Sequence, residues 1–253
     1  MRSHRTVSRL GIVGFGAFGR LIAEHLGGRF DILAFDRAGP PSAAPAGARF
    51  AGLAEVATCP IVILAVPVDA IAEACRAVAP HLQPGALVLD VGSVKLGPAR
   101  AMLAHLPDAV EILATHPLFG PQSARDGLAG LKIALCPLRG TRAPRVAAFL
   151  RRALGLDVIV TTPEAHDREA ALSQGLTHLV AKVLAGMEPL PNRVTTRSFD
   201  LLREAVGMVR HDPPEIFEAV TRGNPFAGDM RRLFVELAQG LDRELGPESV
   251  AAR

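Results

Sequence analysis

Polar side chains that could move a proton follow two apolar, strand-like segments of the chain. Ser93 comes shortly after Ala86–Val91, and His116 directly follows Glu111–Thr115. In open α/β sheets ligands bind beyond the carboxyl ends of the strands, so these two side chains are candidates for one crevice. A neutral imidazole accepts a proton at physiological pH, and a hydroxyl can orient a polar substrate group. The spacing therefore indicates that Ser93 and His116 are substrate contacts, with a buried structural histidine as the alternative for His116.

A second polar group lies on a helix predicted to begin at Pro163. Asp167, Ala171, Gln174 and His178 recur at spacings of four, three and four residues, which puts them on one helix face. The other faces are rich in leucine and valine. A stripe of Gln and His favours a lined cavity, because a solvated face more often carries Lys, Glu and Arg. Gln174 and His178 are therefore candidate substrate contacts, and a solvated face is the alternative.

A glycine-rich segment follows the first predicted strand and opens the first predicted helix. Its residues are Gly14, Phe15, Gly16, Ala17, Phe18 and Gly19. In this GxGxxG pattern the first glycine allows a tight turn, the second lets the backbone approach a pyrophosphate, and the third lets the helix pack on the strand. The positive end of the helix dipole then faces the phosphates. The segment predicts a dinucleotide site, and a glycine turn without a ligand is the structural alternative.

The end of the second predicted strand carries the residues that would select the cofactor. A carboxylate at Asp36 can accept hydrogen bonds from ribose hydroxyls and would repel the 2′-phosphate of NADP. Arg37 beside it could pair with that phosphate or stack on the adenine. Asp36 therefore makes NAD the preferred cofactor, and Arg37 leaves NADP possible. Val66 and Pro67, at the end of a later strand, would put small apolar backbone beside the cofactor, or simply close the strand.

The elements that must position these residues divide the chain into two parts. Through residues 1–161, short apolar segments alternate with amphipathic ones, which predicts βαβ units and a parallel sheet covered on both faces. The predicted strands are Leu10–Val13, Asp31–Phe35, Ile61–Val66, Ala86–Val91, Glu111–Thr115, Lys132–Cys136 and Asp157–Val160. The predicted helices are Ala17–Leu26, Asp69–Ala79, Ala99–Leu106 and Pro144–Leu154. We therefore predict an α/β fold class, with a Rossmann dinucleotide-binding domain at residues 1–161.

Residues 162–253 are predicted to form an all-helical domain for substrate binding and dimerisation. Its helices are predicted from Pro163 to about Met187 and at Thr195–Val209, Pro214–Arg222 and Gly228–Glu244. The domain has more apolar faces than it can cover alone. These faces carry Leu201, Val206 and Met208 on one helix and Phe234, Val235 and Leu237 on another. Because two-fold interfaces are the commonest closure, we expect a homodimer.

The composition argues against several other classes of protein. The net charge is only +3, aromatic residues make up 4%, and Trp and Tyr are absent, so no nucleic-acid surface is predicted. No apolar segment approaches the roughly 20 residues of a membrane span, and no signal peptide is recognisable. Cys59, Cys75 and Cys136 lie far apart without a CxxC motif, which argues against a metal site or a disulfide framework. We therefore expect a cytoplasmic location.

Three motifs taken together resemble the prephenate/arogenate dehydrogenases of tyrosine biosynthesis. They are Asp90–Lys95, Thr115–Pro121, and His166-Asp167 followed by Ser173–Leu179. Their order and spacing match as well, and the resemblance runs from about Leu10 to about Leu241, with details closest to the plant-type arogenate enzymes. It implies NAD(P)-dependent oxidative decarboxylation of prephenate or arogenate. Hydride would pass to the nicotinamide, the ring carboxylate would leave as CO₂, and the ring would become aromatic.

The resemblance also implies a role for individual residues. His116 would hydrogen-bond the ring hydroxyl and take up its proton, and Ser93 would hold that hydroxyl or His116. His178 would contact a substrate carboxylate, and Arg197 matches the family's substrate-binding arginine. Arginine suits a carboxylate because its planar fork can donate two parallel hydrogen bonds.

Some features depart from the family pattern. We recognise neither a chorismate mutase segment nor a C-terminal regulatory domain, so the sequence predicts a monofunctional core in which feedback control by tyrosine is not implied. Plant-type members usually favour NADP and lack an acid where Asp36 stands, and they commonly carry an acid where Gln122 stands. The choice between prephenate and arogenate therefore stays open. The alternatives are a β-hydroxyacid dehydrogenase, with Lys182 as its catalytic lysine, and a non-enzymatic NAD-binding regulator.

Overall fold

The chain forms two compact units. The computed structural model describes residues 8–41, 47–210 and 212–246. The units are Met1–His166 and Asp167–Arg253. The sequence predicts a boundary after residue 161, where the last strand ends, and the first unit extends slightly beyond that point into the next helix.

One eight-stranded sheet organises the first unit, with the strand order β3-β2-β1-β4-β5-β6-β7-β8. The strands are β1 Arg9–Val13, β2 Asp31–Phe35, β3 Arg49–Phe50, β4 Ile61–Leu64, β5 Leu87–Asp90, β6 Glu111–Pro117, β7 Lys132–Arg139 and β8 Asp157–Val160. The pairs from β3 to β6 are parallel, as is the pair of β7 with β8. The predicted α/β class with a Rossmann-like sheet is confirmed.

The direction of β7 contradicts the prediction of a wholly parallel sheet. β7 runs antiparallel to β6. A parallel return needs a crossover of about a dozen residues or more, which is usually a helix. Residues 118–131, which join the two strands, form turns and no helix. The chain therefore turns back beside β6 instead of crossing over the sheet.

Helices cover both faces of this sheet. They are α1 Ala17–Leu26, α2 Leu53–Ala57, α3 Ile71–Val78, α4 Leu96–His105 and α5 Ala143–Leu154. One apolar cluster joins the sheet to α1 and α5, and a second joins it to α2, α3 and α4. Burial on both faces explains why the strands are near-continuous runs of Ile, Val and Leu. The sequence does not predict β3 or α2, because such short elements show no periodicity.

The described part of the second unit is helical. Its elements, with the helix that leads into it, are α6 Pro163–Ala170, α7 Leu176–Ala185, α8 Arg197–Val209, α9 Pro214–Glu218 and α10 Ala227–Leu245, with π-helical segments at Ala171–Gly175 and Ala219–Gly223. Among the described residues, no strand follows Val160, as the sequence predicts. The single helix predicted from Pro163 is interrupted by the first π-helical segment. Such segments are rare and are frequent at functional sites.

Candidate active site and nucleotide site

The glycine-rich loop leaves the end of β1 in a conformation that requires its first glycine. Gly14 has a φ of +95°, and a Cβ there would lie 2.3 Å from the carbonyl oxygen of Ala65. The Gly14 N–H donates to the carbonyl of Phe35 over 2.8 Å, and the Ala65 N–H donates to the carbonyl of Val13 over 2.7 Å. The loop is therefore clamped between the ends of β2 and β4.

The other two glycines serve different purposes. A Cβ on Gly19 would lie 2.3 Å from the carbonyl oxygen of Gly14, so the start of α1 packs directly on the loop. At Gly16 no heavy atom lies within 4 Å of the Cβ position, and the residue is exposed. Gly16 and the exposed Ala17 therefore offer open backbone at the N-terminus of α1, where an anion is favoured.

Asp36 shapes this loop directly. Its Oδ2 accepts a hydrogen bond from the Phe15 N–H at 2.6 Å, and its Oδ1 accepts one from the Ala38 N–H at 2.9 Å. The Phe15 ring is buried and meets the ring of Phe50 edge-on at 5.1 Å between centroids. Phe15 therefore presents only backbone to a ligand, and Asp36 holds that backbone in place.

The remaining residues predicted to bind the cofactor lie around this loop. Phe18 is half-buried beside Phe119, with ring centroids 6.1 Å apart. Val66 is half-buried after β4, and Pro67 next to it is exposed. The Arg37 guanidinium forms an ion pair with Glu73 at 2.9 Å on the surface.

A buried ion pair lies under the strand ends that carry the candidate chemistry. The side chains of Asp90 and Lys95 are both 0% exposed, and the Lys95 ammonium donates to Asp90 Oδ2. The same carboxylate accepts from the Gly92 N–H at 2.9 Å and from the Thr115 N–H at 3.1 Å. Lys95 also donates to the carbonyl of Thr115 at 2.6 Å. A buried charge pair is tolerated when its remaining hydrogen bonds are satisfied, and here several are.

This ion pair fixes the residue that precedes His116. The N–H, the carbonyl and the hydroxyl of Thr115 are all bonded within the pair, the hydroxyl donating to the Asp90 carbonyl at 2.5 Å. The backbone entering His116 therefore has little freedom. The sequence motif includes Lys95, but nothing in the sequence indicates that a lysine would be wholly buried there.

His116 is itself buried and meets a second histidine. Its Nδ1 lies 2.8 Å from Nε2 of His166, and the two rings are inclined by 66°. Burial lowers the pKa of His116 well below its ordinary value, and the positive charges that His166 and Lys95 can carry act in the same direction. The imidazole is therefore neutral at physiological pH and able to accept a proton. Ser93 lies half-buried in the loop between β5 and α4.

In the second unit, the polar stripe predicted on α6 and α7 is largely buried. Asp167, Ala171 and His178 are buried, and Gln174 is half-buried. His178 Nε2 lies 3.6 Å from Asp212 Oδ2. Burial lowers the pKa of His178, which Asp212 partly offsets. Gln174 Oε1 is buried and has no hydrogen-bond partner among the described residues.

Arg197 stands apart from this buried stripe. It is the first residue of α8, whose N-cap Thr196 accepts a hydrogen bond from the Phe199 N–H at 3.2 Å. The Arg197 side chain is 74% exposed and forms an ion pair with Glu204 at 3.4 Å. Lys182, the lysine that a β-hydroxyacid dehydrogenase would need, is exposed, with its ammonium 5.9 Å from the Phe217 ring centroid. That exposure gives the alternative no support.

The described residues contain no group of three or more His, Cys, Asp or Glu side chains placed to hold a metal ion. Within them, no helix combines the length and the apolar character needed to cross a membrane.

Comparison with known families decides the family of the chain. The family described as prephenate dehydrogenase, nucleotide-binding domain, matches residues 42–175. The chain belongs to the prephenate dehydrogenase family. The resemblance stated from its motifs is thereby confirmed.

Individual relatives carry related names. The chain is 29% identical to a probable arogenate/prephenate dehydrogenase of Methanocaldococcus jannaschii, over 73% of this chain and 45% of the relative. It is 33% identical to the chloroplastic arogenate dehydrogenase 2 of Arabidopsis thaliana, over 58% of this chain and 43% of the relative. The chain thus spans less than half the length of these curated relatives.

Solved structures of two dehydrogenases share the fold of this chain. Prephenate dehydrogenase from Aquifex aeolicus, in complex with hydroxyphenyl propionate and NAD⁺, superposes with a TM-score of 0.69 at 21% identity, over 96% of this chain and 93% of that one. Arogenate dehydrogenase from Synechocystis superposes with a TM-score of 0.64 at 23% identity, over 95% and 94% of the two chains. At these identities the likeness establishes the fold.

Sequence reasoning missed three of the groups that complete these sites. The sequence motifs include His166, Asp90 and Lys95, but they do not indicate that His166 contacts His116 or that Asp90 and Lys95 form a buried pair. Asp212 lies in none of the motifs. The contacts His116–His166 and His178–Asp212 join residues distant in the sequence, and burial of the Asp90–Lys95 pair depends on the assembled fold.

Proposed function

We propose that the protein is a prephenate or arogenate dehydrogenase, which oxidises a cyclohexadienyl ring with loss of its carboxylate as CO₂. One observation carries the proposal. In a member of this family, a buried and neutral His116 lies at the same edge of the sheet as an open GxGxxG loop. The strands β1, β4, β5 and β6 are parallel neighbours, so their carboxyl ends share that edge, where ligands bind in open α/β sheets.

The residues at this edge fit a dinucleotide. Gly16 leaves room for a pyrophosphate to approach the backbone, and the N-terminus of α1 supplies N–H donors and a partial positive charge. Gly14, Phe15 and Ala17 would contribute backbone. The wall of the dinucleotide site would be formed by Phe18, Gly19, Val66 and Pro67. The nicotinamide, when bound, supplies the hydride acceptor for the reaction.

The preference for NAD is supported by the charges near the end of β2. Each oxygen of Asp36 already accepts one backbone N–H, and a carboxylate oxygen can accept a second hydrogen bond, here from a ribose hydroxyl. A negative charge at this point opposes a 2′-phosphate. Arg37, the residue that could favour NADP, is engaged by Glu73.

The chain's own chemical task is to position the substrate and manage one proton. His116 accepts the proton of the ring hydroxyl as that oxygen becomes a carbonyl. When the carboxylate leaves, its bond electrons enter the ring and the oxygen becomes a phenolate, to which the imidazolium returns the proton. Ser93 holds the hydroxyl or the imidazole. No net proton is gained or lost, so a buried histidine with no bulk-water exchange is sufficient.

Substrate carboxylates are assigned to the second unit. His178 and Arg197 are the proposed contacts. Gln174 is a proposed contact of another kind: its buried Oε1 has no donor among the described residues, and a substrate hydroxyl or the ammonium of arogenate could supply one. An unmade hydrogen bond of a buried acceptor costs about 1–3 kcal/mol, which favours a ligand that satisfies it.

We also propose a homodimer formed through the second unit. Leu233, Leu237, Leu241 and Leu245 recur every four residues along α10 and are each more than half exposed. Leu201, Met208 and Val235 are exposed as well, whereas Val206 is buried within the unit and Phe234 is half-buried. Light scattering at micromolar concentration should give about twice the 26.7 kDa of the chain. A mass of one chain would contradict the dimer.

A cytoplasmic location is the proposed setting. Cys59, Cys75 and Cys136 are all buried, and burial raises the pKa of the Cys75 thiol to about 12 and also raises the pKa of Cys59. Thiols kept protonated in this way suit a reducing compartment.

One assay tests the proposed function. Purified protein is offered prephenate and arogenate, each with NAD and with NADP, and the reduced cofactor is followed by its absorbance. We expect turnover of at least one substrate, with NAD preferred. A 3-hydroxy acid serves as the control substrate, and activity on it alone would assign the protein to the β-hydroxyacid dehydrogenases. Binding of NAD without turnover of any of these substrates would favour a regulator.

A further inference from the structure

We infer that His166 is a positioning residue that fixes the tautomer of His116. The inference rests on the proposed function, since it concerns how His116 accepts a proton. It starts from the contact between His116 Nδ1 and His166 Nε2 at 2.8 Å. At that distance one nitrogen donates and the other accepts, so the pair shares one proton in one of two arrangements.

Only one arrangement leaves His116 able to act as a base. If His166 Nε2 donates, His116 Nδ1 is the acceptor and the proton of the neutral ring sits on His116 Nε2. That ring has no nitrogen left to take a proton from a substrate. If His116 Nδ1 donates, His116 Nε2 is bare and available. The role of His116 as a base therefore requires His116 Nδ1 to be the donor and His166 Nε2 the acceptor.

Burial favours the neutral form of His116. The residue is 3% exposed, so a protonated His116 ring would lose most of its hydration. The Lys95 ammonium in the adjacent ion pair further disfavours a cation on His116. In the inferred arrangement His166 presents the lone pair of Nε2 to the His116 Nδ1–H.

The backbone supports the same geometry from the other side. Thr115 is bonded to Asp90 and Lys95 through its N–H, carbonyl and hydroxyl. The main chain at His116 is therefore held by one group of contacts and the ring by another. When His116 takes up the substrate proton on Nε2, its Nδ1–H still donates to His166, so the imidazolium keeps its partner until the proton returns to the ring oxygen.

The test measures the tautomer and the kinetics in the same variants. Full-length protein labelled with ¹⁵N is studied by long-range ¹H–¹⁵N correlation, with the signals of His116 identified by their loss in His116→Gln. His166→Gln keeps an amide oxygen near the position of Nε2, whereas His166→Leu removes the acceptor. His81→Gln, in the turn after α3, is the matched control for replacing a histidine in the same unit.

We expect wild-type His116 to carry its proton on Nδ1. In His166→Leu the proton should shift toward Nε2, with kcat reduced roughly tenfold to a hundredfold and the KM values for substrate and NAD within about threefold of wild type. His166→Gln should retain the Nδ1 proton and recover most of kcat, and His81→Gln should change neither.

Two results would overturn the inference. One is a wild-type His116 that carries its proton on Nε2, a result that does not depend on activity. The other is a His166→Gln variant that loses as much kcat as His166→Leu while its tautomer is unchanged. If the wild type turns over neither prephenate nor arogenate, the proposed function fails, and the spectrum still decides which histidine donates.

Discussion

The polar groups of the two units differ in how completely the protein satisfies them. In the first unit, Asp90, Lys95, Thr115 and His116 are buried and bonded to one another or to His166 at distances up to 3.1 Å. In the second, His178 and Asp212 are 3.6 Å apart, a buried oxygen of Gln174 has no partner among the described residues, and Arg197 is mostly exposed.

This difference has a consequence for function. Polar groups whose hydrogen bonds the protein already satisfies are held in one position, and a ligand adds little to their stabilisation. Groups left with open donors or acceptors gain more when a ligand arrives. Substitutions in the first unit should therefore reduce kcat or stability, and substitutions in the second should mainly raise the KM of the substrate.

The largest expected effect is the loss of turnover in His116→Ala. Removing a positioned proton acceptor costs roughly 10² to 10⁴ in rate. The fold should persist, because the contacts of Asp90 with Lys95 and Thr115 do not involve the ring. Steady-state kinetics would measure turnover, circular dichroism the fold, and calorimetric titration with NAD the binding of the cofactor. A kcat near the wild-type value would show that His116 takes no part in proton transfer. The proposed difference between the two units would then fail.

Lys95→Met should be the most destabilising of these substitutions. It leaves Asp90 charged and buried without its cation, and breaking a buried pair in this way costs about 3–5 kcal/mol. Urea denaturation measures the free energy of unfolding, and Lys182→Met, at an exposed lysine, is the matched control with an expected change near zero. A loss below about 1 kcal/mol in Lys95→Met would mean that the pair is not rigidly held. Adding Asp90→Asn to Lys95→Met should restore part of the loss.

Arg197→Ala should raise the KM for substrate about tenfold to a thousandfold, as for loss of a charge-assisted pair worth about 1.5–3 kcal/mol or more. Its exposed pair with Glu204 contributes little to stability, so the free energy of unfolding should barely change. The KM for NAD should also stay constant. Arg197→Lys should recover only part of the loss, because an ammonium cannot make a bidentate pair.

The control for this prediction lies on the same helix. Arg203 is also exposed and pairs with Asp200 at 3.5 Å, but it has no assigned role in binding. Arg203→Ala should therefore leave the substrate KM unchanged. Equal substrate binding by wild type and Arg197→Ala would show that another cation holds the carboxylate.

The sequence predicts the parts of this molecule that depend on local pattern. The bounds predicted for Asp31–Phe35 and Asp157–Val160 match the structure to the residue, because both segments are short apolar runs with glycines or prolines nearby on either side. The parallel direction predicted for β7 was wrong, because nothing in Lys132–Arg139 indicates the direction in which this strand pairs with β6. The π-helical segment at Ala171–Gly175 was missed because it alters the periodicity by a single residue.

The site divides in the same way. Ser93 could be identified because it follows β5, His116 because it lies near the C-terminal end of β6, and the glycine loop because its GxGxxG spacing is typical of a dinucleotide-binding turn. The partnership of His116 with His166 could not be identified, because fifty residues separate them and neither has a local pattern that indicates the other. Burial of Lys95 is equally a property of the assembled fold.

The smallest expected effect concerns cofactor choice at Asp36. Asp36→Ser removes the charge that opposes a 2′-phosphate, but it also removes the acceptor for the Phe15 N–H, so binding of both cofactors should weaken somewhat. The ratio of kcat/KM for NADP to that for NAD should nevertheless rise about tenfold, equivalent to ~1.4 kcal/mol. Because Arg37 is engaged by Glu73, adding Glu73→Gln should raise the ratio further by freeing a guanidinium for the phosphate. Asp31→Ser, at the other end of the same strand and paired with Arg9 at 3.6 Å, is the matched control and should leave the ratio unchanged. A wild type that already prefers NADP, or an Asp36→Ser variant with an unaltered ratio, would mean that Asp36 serves only to hold the glycine loop. In that case Asp36, like Lys95, would act by fixing the backbone of the first unit and not by meeting the ligand.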